Sequence, residues 1–138
     1  MLKAFKGGTL SEQVFSAFLG ALPREDFIPY VADFYLQLED VKWTVIGGIV
    51  NDALVISVRN LGYTKNAGEF VRRFFADIGS AGGHRAMAKA VVPMRAFREK
   101  YGELAGDDIG KKLQALAHEF LAHEPAGHEK KRETAVIK

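Results

Sequence analysis

Two runs of strand-forming residues, separated by a short turn, constrain the fold of this chain more than any other feature. The first run, residues 42–50, contains Trp43 together with two valines and two isoleucines, and the second, residues 54–59, alternates between two faces. The Asn51-Asp52 pair between them is typical of a β-hairpin turn. Arg59 falls on the less apolar face, at the end of the second strand. The wholly apolar face must be covered, so we expect a sheet packed against helices.

The clearest helix begins at Asn66, which forms a capping-box spacing with Glu69. Apolar residues then recur with helical periodicity and predict a core-facing stripe of Ala67, Phe70, Val71, Phe74, Phe75 and Ile78. A final helix is predicted from Asp107 or Asp108 to His123 by the same periodicity.

The other segments are assigned by periodicity and by turn residues. Residues 9–22 are predicted to be a helix ended by Pro23, since their apolar residues fit a 3.6-residue period. Residues 31–38 are rich in aromatic and aliphatic side chains and predict a strand, and residues 86–92 predict a returning strand stopped by Pro93. The predicted class is therefore α+β, with a single mixed β-sheet and helices packed mainly on one face.

Composition limits the classes of function. The net charge is only +2, so a basic surface for nucleic acid must be local. The absence of cysteine excludes a disulfide framework and a cysteine-ligated zinc site. No apolar run approaches the roughly 18 residues of a membrane span, and the first residues lack a signal-peptide core. We expect one cytoplasmic domain over residues 1–124, a flexible charged tail over residues 125–138, and no membrane partner.

A glycine-histidine segment carries the strongest indication of chemistry. Gly82 and Gly83 allow close approach to a ligand, and His84 and Arg85 follow at once. Backbone amides, an imidazole and a guanidinium could together bind one anion, and Arg59 could clamp the same phosphate if both segments open on one edge. A plain helix-to-strand connection also explains the glycines, and a solvated strand end also explains the arginine.

Metal and nucleophile signals are weak. His118 and His123 are five residues apart, about 140° around a helix, whereas two ligands on one helix face are four apart. No Ser/His/Asp pattern or nucleophile elbow is present. We therefore assign neither catalytic nor metal-ligating residues to this chain.

The order of three separated segments resembles the DHH-associated domain, the C-terminal domain of DHH-family phosphoesterases. These segments are the strand end at Arg59-Asn60, the helix start at residues 66–69, and residues 82–88. The resemblance covers about residues 33–93. The family includes RecJ-like exonucleases, nano-RNases and exopolyphosphatase-like proteins, in which this domain binds substrate.

The chain departs from the family pattern at several positions. Ala81 stands at the first glycine of the Gly-Gly-Gly-His segment, Met87 at the first alanine of the following Ala-Ala-Gly, and Lys89 at its final glycine. Asn60 replaces the usual serine after the strand arginine. Lys89 is the largest change, because it puts a long cation where the family usually has no side chain. This cation either adds a phosphate contact or marks weakened ligand binding. Asn60 and Lys89 are therefore secondary candidates beside Arg59, Gly82, Gly83, His84 and Arg85.

The resemblance implies a substrate-binding domain that holds a terminal nucleotide, a short oligonucleotide or another phosphate ester. In the family, the DHH domain binds manganese, and this chain has no Asp-His-His triplet. We therefore expect catalysis to reside in a separate DHH domain. This chain alone is expected to bind no cofactor and to have no catalytic activity. The alternatives are a stand-alone nucleotide or single-stranded nucleic-acid-binding module, and a structural or dimerisation domain, with a homodimer among the partner hypotheses.

Overall fold

The computed structural model describes residues 8–122, which form one mixed sheet and four helices. The strands are β1 (Thr9–Ser11), β2 (Val14–Ala21), β3 (Trp43–Val50), β4 (Ala53–Asn60), β5 (Ser80–Gly83) and β6 (Met87–Pro93). The helices are α1 (Phe27–Leu36), α2 (Ala67–Phe75), α3 (Met94–Tyr101) and α4 (Gly106–Ala122). The strand order is β1-β2-β3-β4-β6-β5, in which β2 and β3 are parallel and the other neighbours are antiparallel.

The sheet separates two hydrophobic cores. Helices α2, α3 and α4 cover the larger core, in which Phe70 and Phe97 are fully buried. Helix α1 covers the smaller core on the opposite face, where the rings of Phe15 and Tyr35 stack with their centroids 4.2 Å apart. The predicted α+β class, with one mixed sheet and helices mainly on one face, is confirmed.

The β3–β4 hairpin and helix α2 form as the local sequence predicts. Asn51 and Asp52 have φ angles of 50° and 65°, the positive values that a tight hairpin turn requires. The Asn66 side chain accepts a hydrogen bond from the backbone N–H of Glu69 at 3.0 Å. The predicted stripe of α2 is buried from Ala67 to Phe75.

The prediction of a helix over residues 9–22 is wrong, because this segment forms strands β1 and β2. Val14 packs in the larger core and Phe15 in the smaller one, so successive side chains enter opposite faces of the sheet. A strand buried on both faces has a nearly continuous apolar run, which periodicity does not distinguish from a helix. The turn at Glu12 and Gln13 has positive φ without glycine or asparagine and therefore gives no turn signal.

The prediction of a strand over residues 31–38 is also wrong, because residues 27–36 form helix α1. Its buried residues are Ile28, Val31, Ala32 and Tyr35, the i, i+3, i+4, i+7 spacing of one helix face. This stripe begins at Ile28, before the segment predicted as a strand. Packing of the stripe on β3 and β4 outweighs the strand propensity of its aromatic and β-branched residues.

Several further differences concern the second half of the chain. Gly82 and Gly83 belong to the edge strand β5 rather than to a loop, and the returning strand β6 extends to Pro93. Residues 94–101 carry no prediction from the sequence and form α3.

The final helix begins at Gly106 and is described to Ala122. Its predicted end at His123 and the predicted tail therefore lie outside the described residues.

Helix α3 is fastened to the C-terminal end of α2 by polar contacts. Lys100 Nζ donates to the backbone carbonyl of Phe74 at 3.0 Å and to Asp77 Oδ1 at 2.8 Å. The Tyr101 hydroxyl donates to the same carbonyl at 2.7 Å. The hydrogen bond from Lys100 lowers the pKa of Asp77. These contacts satisfy a helix-terminal carbonyl that would otherwise lack an intrahelical partner.

Candidate functional site

A cleft with a volume of about 520 Å³ opens on the sheet face that carries α1, beside that helix. Of the residues predicted for the site, Arg59, Gly82, Gly83, His84 and Lys89 line this cleft. They come from β4, from β5 and the turn after it, and from β6. The structure therefore brings together side chains that are separated by up to 30 positions along the chain.

Strand register explains this convergence. Ser57 on β4 pairs with Lys89 on β6, and Lys89 pairs with Gly82 on β5. Residues paired directly across neighbouring strands point to the same face of a sheet, so these three positions form one row. Arg59 lies in the adjacent row, opposite Met87. The alternation predicted for β4 thus places Arg59 on the cleft face.

The two glycines have different structural roles. Gly83 has a φ of 149°, and a Cβ at this position would lie 2.5 Å from Ala88 Cα and from the Met87 carbonyl oxygen. A Cβ at Gly82 would meet no heavy atom of the described residues within 4 Å, apart from its own chain neighbours. Gly83 is therefore required by the backbone, whereas Gly82 leaves open space at the cleft wall.

The turn that carries His84 is held by the N-terminus of α2. The backbone N–H groups of Ala67 and Gly68 donate to the carbonyls of Arg85 and His84, each at 3.0 Å. A Cβ at Gly68 would lie 2.6 Å from the Gly83 carbonyl oxygen, so glycine permits this close approach. These helix-terminal amides are used to position the turn. An anion in the cleft would consequently meet side chains of the turn rather than these two amides.

The imidazole of His84 has a defined orientation. Its Nδ1 accepts a hydrogen bond from the backbone N–H of Ala86 at 3.3 Å, and its own backbone N–H donates to the Met87 carbonyl at 2.9 Å. A neutral imidazole whose Nδ1 accepts carries its proton on Nε2. The exposed His84 side chain therefore offers a hydrogen-bond donor to a ligand in the cleft.

Both cations of the cleft are paired with carboxylates. Arg59 Nε donates to Asp33 Oδ1 of α1 at 2.6 Å, and its Nη1 donates to the Val58 carbonyl at 3.1 Å. Lys89 Nζ lies 2.8 Å from Oε1 of Glu25, in the turn before α1. The Arg59 side chain is only 11% exposed. An anionic ligand would therefore share these cations with carboxylates or displace the carboxylates.

Arg85 and Asn60 are not among the described residues that line the cleft. Arg85 Nη1 donates to the Gly62 carbonyl at 2.6 Å, and its guanidinium lies 4.7 Å from the ring centroid of Tyr63. Asn60 is buried; its Nδ2 donates to the carbonyls of Lys65 and Arg85, and its Oδ1 accepts from the Gly62 N–H. Both side chains hold the segment after β4 against the turn after β5.

Sequence reasoning missed the acidic side of the cleft. Glu25 and Asp26 line it, and Asp33 binds Arg59. Their role depends on α1, which the sequence predicted as a strand beginning at Val31. A helical reading from residue 27 would have placed Pro29 and Asp33 on the same side of the helix, next to its buried stripe.

The part of the chain that the structure describes contains no group of three or more His, Asp or Glu side chains able to hold a metal ion. His118 Nδ1 lies 3.7 Å from Glu12 Oε1, and His123 falls outside the described residues. Among residues 8–122, no helix has the length and apolar character needed to cross a membrane.

Comparison with protein families finds no match. The uncharacterized protein MJ1633 of Methanocaldococcus jannaschii is 34% identical over 82 residues, which cover 59% of this chain and 16% of that protein. The chain thus corresponds to a small part of this relative.

Two solved structures resemble the fold. The C-Ala domain of Aquifex aeolicus alanyl-tRNA synthetase matches with a TM-score of 0.50 and 14% identity, over 67% of this chain and 93% of that domain. The pGpG-specific phosphodiesterase PggH of Vibrio cholerae matches with a TM-score of 0.47 and 13% identity, over 83% of this chain and 36% of that protein. The likeness to the C-Ala domain, nearly all of which is matched, shows that the two share a fold.

Proposed function

We propose that this cleft binds the terminal phosphate of a nucleotide or short oligonucleotide, and that the chain acts as a DHH-associated, substrate-binding domain. The observation that carries the proposal is the convergence of Arg59, Gly82, Gly83 and His84 in one cleft. A volume of about 520 Å³ is in the range of small-molecule sites. Arg59 would anchor the phosphate through charge-assisted hydrogen bonds, and His84 Nε2 would donate a further one.

Hydrolysis belongs, in this proposal, to a separate catalytic DHH domain that holds manganese. The chain supplies binding and orientation of the phosphate ester, and the other domain supplies the metal-activated chemistry. Since the matched fold is a domain of a tRNA synthetase, RNA oligonucleotides belong among the ligands to be tested.

Replacement of Arg59 by alanine should weaken the binding of adenosine 5′-monophosphate by about 1.5–3 kcal/mol, the value of a hydrogen bond to a charged group. NMR titration of the wild-type chain should move resonances of residues 57–59 and 82–89. Arg72→Ala, an exposed change on α2, is the control and should leave the affinity unchanged. Chemical-shift changes confined to other surfaces, or an affinity indifferent to Arg59→Ala, would contradict the proposal.

One observation favours a second function, the stand-alone binding of single-stranded nucleic acid. Phe27 and Tyr30 on α1 are 52% and 64% exposed, and their rings lie 6.2 Å apart with an interplanar angle of 17°. Together with Arg24 they line a second cavity of about 650 Å³, and Asp26 borders both cavities. Exposed aromatic rings beside a phosphate site are a common platform for stacking successive bases.

Under this second function, Tyr30→Ala should weaken the binding of a 5′-phosphorylated RNA hexamer by about 1–3 kcal/mol, the value of one base stacked on an aromatic ring. The affinity for adenosine 5′-monophosphate should not change, because the mononucleotide stays in the first cleft. Fluorescence anisotropy measures the hexamer, and Tyr63→Ala is the matched control on an exposed tyrosine outside both cavities. Equal hexamer affinities of wild type and Tyr30→Ala would exclude the stacking platform.

A further inference from the structure

One ion pair joins the two walls of the cleft. Lys89 lies on β6, in the sheet that forms one wall of the cleft. Glu25 lies in the turn before α1, on the other wall, and Lys89 Nζ is 2.8 Å from Glu25 Oε1. The two side chains are 52% and 49% exposed, so the pair faces solvent at the mouth of the cleft. This arrangement places a carboxylate against the most accessible cation of the site.

We propose that the Glu25–Lys89 pair is an electrostatic gate. The Glu25 carboxylate stays paired with the Lys89 ammonium group until a phosphate group of the ligand displaces it. The inference rests on the proposed function of the cleft. A phosphate oxygen and a carboxylate oxygen compete for the same ammonium group. A pair this exposed contributes little to stability, so its exchange for a ligand requires little free energy.

The two cations of the cleft therefore have different roles. Arg59 is 11% exposed and is held by both Asp33 and the Val58 carbonyl, so its guanidinium is a fixed anchor. Lys89 has a flexible stem and a single described carboxylate partner, and its ammonium can turn from Glu25 to the ligand. Glu25 thus lowers the affinity of the cleft, because removal of its charge leaves Lys89 available in advance.

The test is calorimetric titration of the chain with adenosine 5′-monophosphate in five forms: wild type, Glu25→Gln, Asp26→Asn, Lys89→Gln and the Glu25→Gln/Lys89→Gln double variant. Glu25→Gln should tighten binding about two- to fivefold, the range expected from loss of one competing exposed pair. Asp26→Asn is the matched control. It removes the same charge from the same cleft, but Asp26 is paired with Arg24 at 3.6 Å instead of with Lys89.

In the Lys89→Gln background, the Glu25→Gln change should have no effect, because the cation it would release is absent. A second readout needs no ligand: the NMR signal of Lys89 Nζ should shift in Glu25→Gln and stay unchanged in Asp26→Asn. The same signal should shift in the wild type when adenosine 5′-monophosphate is added.

Equal tightening by Glu25→Gln and Asp26→Asn would overturn the gate, since the effect would then be general electrostatics. A gain in affinity from Glu25→Gln that persists in the Lys89→Gln background would also overturn the gate. Binding that Arg59→Ala weakens and Glu25→Gln leaves unchanged would remove the gate and keep the proposed function. Failure of all five forms to bind would remove both proposals.

Discussion

Replacement of Phe70 by alanine will lower the free energy of unfolding by about 3–5 kcal/mol, the largest effect we expect from a single side chain. Phe70 is fully buried at the centre of the larger core. The centroid of its ring lies 5.9 Å from that of Trp43 on β3 and 5.5 Å from that of Phe120 on α4. Phe70 therefore packs α2 against both the sheet and α4. Its removal leaves a cavity that neighbours on three separate elements cannot easily fill.

Urea denaturation followed by circular dichroism measures this loss. Arg72→Ala on the exposed side of the same helix is the control, and it should change stability by no more than about 0.5 kcal/mol. A larger loss for Arg72→Ala than for Phe70→Ala would show that the face of α2 assigned to the core is wrong.

The neighbouring glycines of β5 should respond very differently to the same substitution. Gly83→Ala should cost about 2–4 kcal/mol, because a Cβ would collide with the backbone of β6 at a φ unfavourable to other residues. Gly82→Ala should change stability by less than about 1 kcal/mol, since the described residues leave open space there. The two variants carry one identical added methyl group at adjacent positions, so each is the control for the other.

Hydrogen exchange of the β6 amides, measured with urea melts, tests this difference. Gly83→Ala should speed exchange at residues 88–90, which pair with β5, and Gly82→Ala should not. Similar losses in the two variants would mean that the backbone of β5 tolerates a side chain at Gly83. The positive φ of this residue would then not be the reason for glycine.

The site could be predicted in part, because some of its positions depend on local rules. Alternation along β4 places Arg59 on the face opposite the larger core, and the register of β4, β6 and β5 brings it to the same cleft as His84 and Lys89. Arg85 has an equally suggestive position in the sequence, yet it turns to Gly62 and Tyr63. A side chain in a turn has no fixed period, so its direction depends on contacts made after the chain has folded.

The sequence by itself determined the elements whose signals are local: the β3–β4 hairpin at Asn51-Asp52, the Asn66 cap and buried stripe of α2, and most of α4. Only the tertiary structure decided that residues 14–21 form a strand and residues 27–36 a helix. The parallel pairing of β2 with β3 and the packing of α4 on β2 are contacts between segments distant in sequence. The carboxylates of the cleft likewise depend on tertiary packing, because they meet its cations only once α1 lies on β3 and β4. Glu25, in the turn before α1, then pairs with Lys89, and Asp33 of α1 pairs with Arg59.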